Sequence, residues 1–169
     1  LASGDERSAL AHAQDSHRLA RQVGHPASEV LCQLAVARAK HARSPMEGLS
    51  LVNQALSGAR KIGSAILEYS CLMALAHMSR EDESIDSSLH RALEMGSRRG
   101  YLGYYLMLTA DVSRLCARAI ERRLEPDQAR GLVQGYQLDL SHPAMAHSIP
   151  RRFGIRTLGS FKIIVEGVP

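Results

Sequence analysis

Tryptophan is absent from this sequence and phenylalanine occurs twice, so that with five tyrosines the aromatics reach only 4% of 169 residues. A core short of large rings must be filled by Ala and Leu. That favours closely packed helices over strands, whose best formers are β-branched and aromatic. Cysteine is nearly as sparse. Cys32, Cys71 and Cys116 form no metal-type pair, and an odd number cannot complete a disulfide framework, so a reducing cytoplasm is expected. No apolar run approaches the ~20 residues that a membrane-spanning helix needs, and the first residues lack a signal-peptide pattern. The chain opens at Leu1 without Met, as expected of a fragment or of a processed chain.

Motifs that carry chemistry are missing as well. None of the eight histidines belongs to an H-E-x-x-H motif or sits at ligand spacing from a cysteine. His12 and His17 are five apart, off a shared helix face. There is no G-x-S-x-G nucleophile turn and no G-x-x-x-x-G-K-[ST] phosphate loop. No catalytic residues, metal or cofactor are therefore assigned. The formal charge of +4 and pI near 9.2 permit an acidic partner without demanding one, because basic and acidic residues are interleaved.

What is present is a repeat. Gly24, Gly63 and Gly100 each close one helical run and open another, at separations of 39 and 37 residues. Eight positions before each glycine stand Ser16, Ala55 and Ala92; four before stand Ala20, Ala59 and Gly96. The i, i+4 spacing puts these small residues on one face, where a second helix can approach closely. Eleven before stand Ala13, Val52 and Leu89, which extend the stripe. Eight after each glycine come Cys32, Cys71 and Leu108; eleven after, Ala35, Ala74 and Asp111; twelve after, Val36, Leu75 and Val112. Cys32 and Cys71 are thus expected to be small core hydrophobes at one repeated packing position. Asp111 breaks its row and predicts that the third copy meets solvent or a different neighbour.

The spacing predicts six helices in three hairpins, near 5–23, 26–42, 45–62, 64–79, 82–98 and 101–121. Ser44-Pro45 supplies a cap and a first-turn proline to the third. Glu125-Pro126-Asp127 starts a seventh helix reaching about Leu138. The fold class is all-α: stacked antiparallel helix hairpins over residues 1–140, then a linker over 141–152 marked by the His142-Pro143 and Ile149-Pro150 steps. Residues 153–169 turn β-rich, in Phe153-Gly154-Ile155-Arg156-Thr157-Leu158 and Ser160-Phe161-Lys162-Ile163-Ile164-Val165. Two short strands cannot make a domain alone, so they read as the opening of a truncated one.

The small-residue rows and the period near 38 residues resemble tetratricopeptide repeats over residues 5–121, without most of the signature aromatics. A second resemblance covers about 89–167. Leu89-His90-Arg91-Ala92-Leu93-Glu94-Met95-Gly96, Gly100-Tyr101-Leu102, Leu115-Cys116-Ala117-Arg118-Ala119-Ile120 and Glu125-Pro126-Asp127-Gln128-Ala129 form an ordered series. After the linker come Ile155-Arg156-Thr157-Leu158-Gly159-Ser160-Phe161 and Val165-Glu166-Gly167. This order resembles the helical repeat region of large ATP-binding bacterial transcription regulators related to the maltose activator. In that family such a strand pair leads into a winged-helix DNA-binding domain. Ile149-Pro150-Arg151-Arg152-Phe153 stands where many members carry Trp-Pro-Trp-Pro. The resemblance implies a sensing or interaction segment between a nucleotide-binding module and a winged helix. DNA would be met only through that neighbouring domain. The expected partners are other domains of the same regulator, another protein, or a small-molecule effector, and no membrane. An adaptor of the same repeat type from an unrelated system is the alternative.

One polar row points to a partner. Arg21, Arg60, Lys61 and Arg98 lie two or three positions before the glycines, and stacked hairpins would align them as a basic ridge for an acidic partner. The plainer reading is that cations in a last helical turn complement the helix dipole. Arg151-Arg152 could touch DNA phosphates or simply solvate a linker. Tyr101, Tyr104 and Tyr105 are placed at the start of the sixth helix, where core packing is the simpler role than a ligand pocket.

Overall fold

A computed structural model describes residues 6–101, 107–136, 138, 154–156 and 162–164. Its helices are α1 (Glu6–Val23), α2 (Pro26–His41), α3 (Pro45–Lys61), α4 (Ala65–Met78), α5 (Asp82–Arg99), α6 (Thr109–Glu121) and α7 (Pro126–Tyr136). At the C-terminal side, β1 (Gly154–Arg156) pairs antiparallel with β2 (Lys162–Ile164), Ile155 opposite Ile163. The linker over 141–152 lies outside the described residues.

The three glycines work through a single conformation. Gly24, Gly63 and Gly100 have φ of +70°, +70° and +68°, the left-handed region that costs other residues a Cβ clash. Beyond two of them the chain closes back on its helix: the Ser64 N–H donates to the Ala59 carbonyl at 3.0 Å and the Tyr101 N–H to that of Gly96 at 2.9 Å. These are the six-residue closures that satisfy last-turn carbonyls and stop a helix sharply. Only Ser64 then separates Gly63 from α4, so α3 and α4 must run back to back.

Each helix packs on its sequence neighbour, and α2 with α4, α4 with α6, and α5 with α7 also touch. The small rows lie at these contacts in the second and third hairpins, where Ala55, Ala59 and Ala92 are wholly buried; in the first, Ala20 is 8% exposed but Ser16 faces solvent. A Cβ on Gly48 would come within 2.8 Å of the His41 Cα, so glycine there lets α3 lie directly on α2. The helix α4 is buried on all sides, from Leu67 and Tyr69 through Ala76 to Met78. An apolar residue at nearly every position fits a helix surrounded by others. Ser70 is tolerated inside because its Oγ donates to the Ile66 carbonyl at 2.8 Å.

The third hairpin departs from the expected boundaries. The sixth helix begins at Thr109, not near residue 101, and its contact with α5 is slight; α7 also packs on α5. Thr109 and Asp111 give a first turn that complements the helix dipole, a better start than the Gly100-Tyr101 step. Leu108 is therefore the cap residue, 49% exposed, and leaves the row of Cys32 and Cys71. Val112 keeps its row and is wholly buried. Tyr101 precedes the helix and stacks edge-on against Tyr69, ring centroids 5.8 Å apart, while Tyr104 and Tyr105 lie outside the described residues. Ser44 occupies the cap position of α3 without a side-chain cap bond. The helix α2 is capped instead by His25, whose Nδ1 accepts from the Ser28 N–H at 3.2 Å.

Candidate functional site

The four predicted ridge residues stand in the last turns of α1, α3 and α5. Three of them are already occupied. Arg21 lies 3.6 Å from Glu29, Arg60 is 2.8 Å from Glu68, and Arg98 is 2.6 Å from Glu94. Lys61 is exposed, with no ion-pair partner among the described residues. Arg21 and Arg60 are three positions before a glycine, and Glu29 and Glu68 are five after it. The same bridge across the turn thus recurs in the first two hairpins. The third copy has Ser97 in place of the arginine. Arg91 also reaches Glu68, at 3.5 Å. The exposed pairs Arg21–Glu29 and Arg98–Glu94 contribute roughly 0–1 kcal/mol each, so they trim the hairpin ends more than they hold them.

The even-numbered helices carry a second basic row. Arg38, His77 and Arg114 all stand fourteen positions after a glycine. Asp111 lies among them, 3.8 Å from Arg38 and 3.6 Å from His77, while Arg114 reaches His77 Nδ1 at 2.9 Å. The residue that broke its small-residue row is thus the acid that binds α6 to α2 and α4. The Arg38 side chain is only 8% exposed, and its Nη1 is buried with no partner among the described residues. Burial disfavours its charge, which Asp111 opposes. Burial also lowers the His77 pKa; Asp111 pulls it up, and Arg38, Arg114 and His41 push it down.

A groove of about 610 Å³ opens between α1 and α3, which make no contact with each other, over α2. Gln14, His17, Arg18 and Arg21 line it from α1, and Val36 and Lys40 from α2. No acid is in that lining. Its cations are paired with exposed acids, Arg18 with Asp15 at 3.5 Å and Lys40 with Glu47 at 2.8 Å, and Arg18 also donates to Gln22 Oε1 at 3.4 Å. His17 Nε2 is buried without a hydrogen-bond partner among the described residues.

No protein-family model, curated protein or solved structure matches this chain significantly.

Of the four predicted residues only Arg21 reaches the groove. The others found here, His17, Arg18, Lys40, Arg38, His77 and Arg114, were accessible to the same superposition on the glycines. It compares His17 with Leu56 and Leu93, and aligns the basic row outright. A search by motif overlooks them because none forms a local pattern. Among the described residues no group of three or more His, Cys, Asp or Glu is placed to hold a metal, and no helix is long and apolar enough to cross a membrane.

Proposed function

We infer that this chain is a non-enzymatic repeat segment of a bacterial transcription regulator, working in the cytoplasm to sense an effector or to contact neighbouring domains. Its hairpins stack as a tetratricopeptide-like superhelix, and the strands at 153–169 open a winged-helix domain. The observation that carries the reading is the recurrence at Gly24, Gly63 and Gly100 of one left-handed helix end, each with a buried small residue four positions before it, Ala20, Ala59 and Gly96. Repeats built this way present grooves along a stack more typically than they enclose a reaction centre. The mechanism is a population shift: whatever the repeats hold favours one arrangement of the domains on either side. The ordered residues from Leu89 to Gly167 support the regulator assignment, and the paired backbone at β1 and β2 suits the strand pair that it requires.

The reading frame around this segment tests the assignment. A winged helix following Pro169 and a nucleotide-binding loop upstream are expected. A frame that stops there, or runs into unrelated sequence, leaves an adaptor of the same repeat type.

A further inference from the structure

Superposing the hairpins on their glycines isolates what is peculiar to the first. At the position of His17 the second and third hairpins place Leu56 and Leu93, 6% and 0% exposed. At the position of Arg18 they have Ser57 and Glu94, and at that of Lys40, Ser79 and Cys116. Three departures from the repeat therefore converge on one groove, and all three add a cation or a polar ring. The change at His17 is unfavourable for folding. A buried polar atom left unpaired costs about 1–3 kcal/mol, and leucine would carry no such cost. The His17 residue is only half-buried, so a partner for this orphan atom can reach it from outside the fold.

Lys40 is held by Glu47 at 2.8 Å and would have to exchange that acid for a ligand, whereas Arg18 and Arg21 are held more loosely. Arg18 and its acid Asp15 are 58% and 68% exposed, and Arg21 and Glu29 are 69% and 42% exposed. Pairs so well solvated hold their geometry weakly, and the long side chains swing at little cost. Both distances, 3.5 and 3.6 Å, also exceed a good charge-assisted hydrogen bond. Turning inward, Arg18, Arg21 and Lys40 would converge over a floor of Val36, with Gln14 and Gln22 as neutral donors. The His17 ring turns easily about its second side-chain torsion, which has a broad profile, and so can direct Nε2 to the same place. The groove volume of about 610 Å³ falls among those that hold small molecules.

We propose that the groove between α1 and α3 binds a small ligand through an oxyanion, a phosphate or carboxylate, held by Arg18, Arg21 and Lys40 with His17 as the directional hydrogen-bonding group. This names the effector class for the sensing reading and rests on that reading for its purpose. The two fail separately, because the experiment reads the groove alone and the regulator assignment rests on the surrounding reading frame.

The test is an NMR titration of the whole 169-residue chain at low salt with inorganic phosphate, citrate and an oligoglutamate peptide. Saturable binding of phosphate or citrate, with Kd of order 1 mM or tighter, is expected, with shifts centred on α1 and α2. Phosphate and citrate together tell which oxyanion the groove prefers. The double variant Arg18→Ser/Lys40→Ser carries the residues of the second hairpin and should fold. Losing two charge-assisted contacts should weaken binding at least about tenfold. His17→Leu should bind more weakly while melting higher, which separates a ligand role from a folding role. Arg130→Ser, on a surface pair with Asp127 in α7, should leave affinity unchanged. Absence of saturable phosphate and citrate binding would overturn the proposal. So would undiminished binding in the double variant, equal weakening by Arg130→Ser, or binding of oligoglutamate alone.

Discussion

Tyr69 is the largest fully buried side chain, and its hydroxyl has no hydrogen-bond partner among the described residues. Its ring is well placed, edge-on to Tyr101, but the oxygen is not. Burial raises its pKa, so it stays a neutral phenol. Tyr69→Phe keeps the ring contact and removes the orphan, so urea unfolding should show stability unchanged or raised by up to about 1–2 kcal/mol. A loss of that size instead would mean that the hydroxyl is satisfied after all. The cysteines separate in the same way. Burial pushes the Cys71 and Cys116 thiols up to about 12, whereas Cys32 is half-buried. Because the thiolate is the reactive form, Cys32 should be alkylated in the native protein and the other two only on unfolding. The same shifts give a pH dependence. The folded-state values lie above the ordinary thiol value of 9.0, so this stability is complete below pH 9 and is lost as pH rises towards 12. Cys71→Ala and Cys116→Ala should each shrink the alkaline loss. The repeat row expects both Cys32 and Cys71 in the core, and only Cys71 is fully buried; Cys116 lies outside that row, on the displaced sixth helix.

Among the elements, most helix bounds were legible, at the glycines and elsewhere: the expected limits near 26, 45, 82 and 121 fall on Pro26, Pro45, Asp82 and Glu121. Gly24, Gly63 and Gly100 announce their turns because other residues avoid positive φ. The end of α6 adopts the same closure without glycine: Arg123 has φ of +58°, and the Leu124 N–H donates to the Ala119 carbonyl at 2.8 Å. The sequence reading places that helix end near 121 but does not foresee the left-handed closure at Arg123. Arg123→Gly should therefore stabilise the protein by about 0.5–1 kcal/mol in thermal or urea unfolding, and Gly100→Ala should destabilise it by about 1 kcal/mol. The start of α6 was missed for a related reason, since continuity with the repeat competes against a first turn set by Thr109 and Asp111. Glycine also has a second use, close approach, which spacing alone does not reveal. Gly48→Ala forces a methyl against the His41 backbone and the Ala37 carbonyl, at 2.8 and 3.0 Å. The strain, about 1–3 kcal/mol, exceeds the helix-propensity gain of up to about 1 kcal/mol, so the variant should be less stable.

Across the whole molecule, the charge cluster is what joins the first hairpin to the third. Asp111 on α6 faces Arg38 on α2 and His77 on α4, so one carboxylate touches all three even-numbered helices. A link between elements that otherwise touch only through α4 ties distant parts of the chain into one cooperative unit. Removing the carboxylate by Asp111→Asn strands the Arg38 cation beneath the surface; with Asp111 itself 21% exposed, the loss should be about 1–3 kcal/mol, below that of a fully buried pair. Arg38→Met in the same chain should recover most of it, because the uncompensated charge is then gone, and a double-mutant cycle in urea measures the coupling. His77 adds a pH dependence with a definite sign. Burial holds its folded pKa below the ordinary 6.5, and the neighbouring Arg38, Arg114 and His41 act in the same direction against the pull of Asp111. The unfolded chain therefore binds more protons below that value. This stability is complete above pH 6.5 and is lost as pH falls through the folded value. Melting temperature should drop on acidification through that window, and His77→Gln should flatten the drop. If the dependence survives that substitution unchanged, the acid sensitivity belongs to other groups and the cluster is held by Arg38 and Asp111 alone.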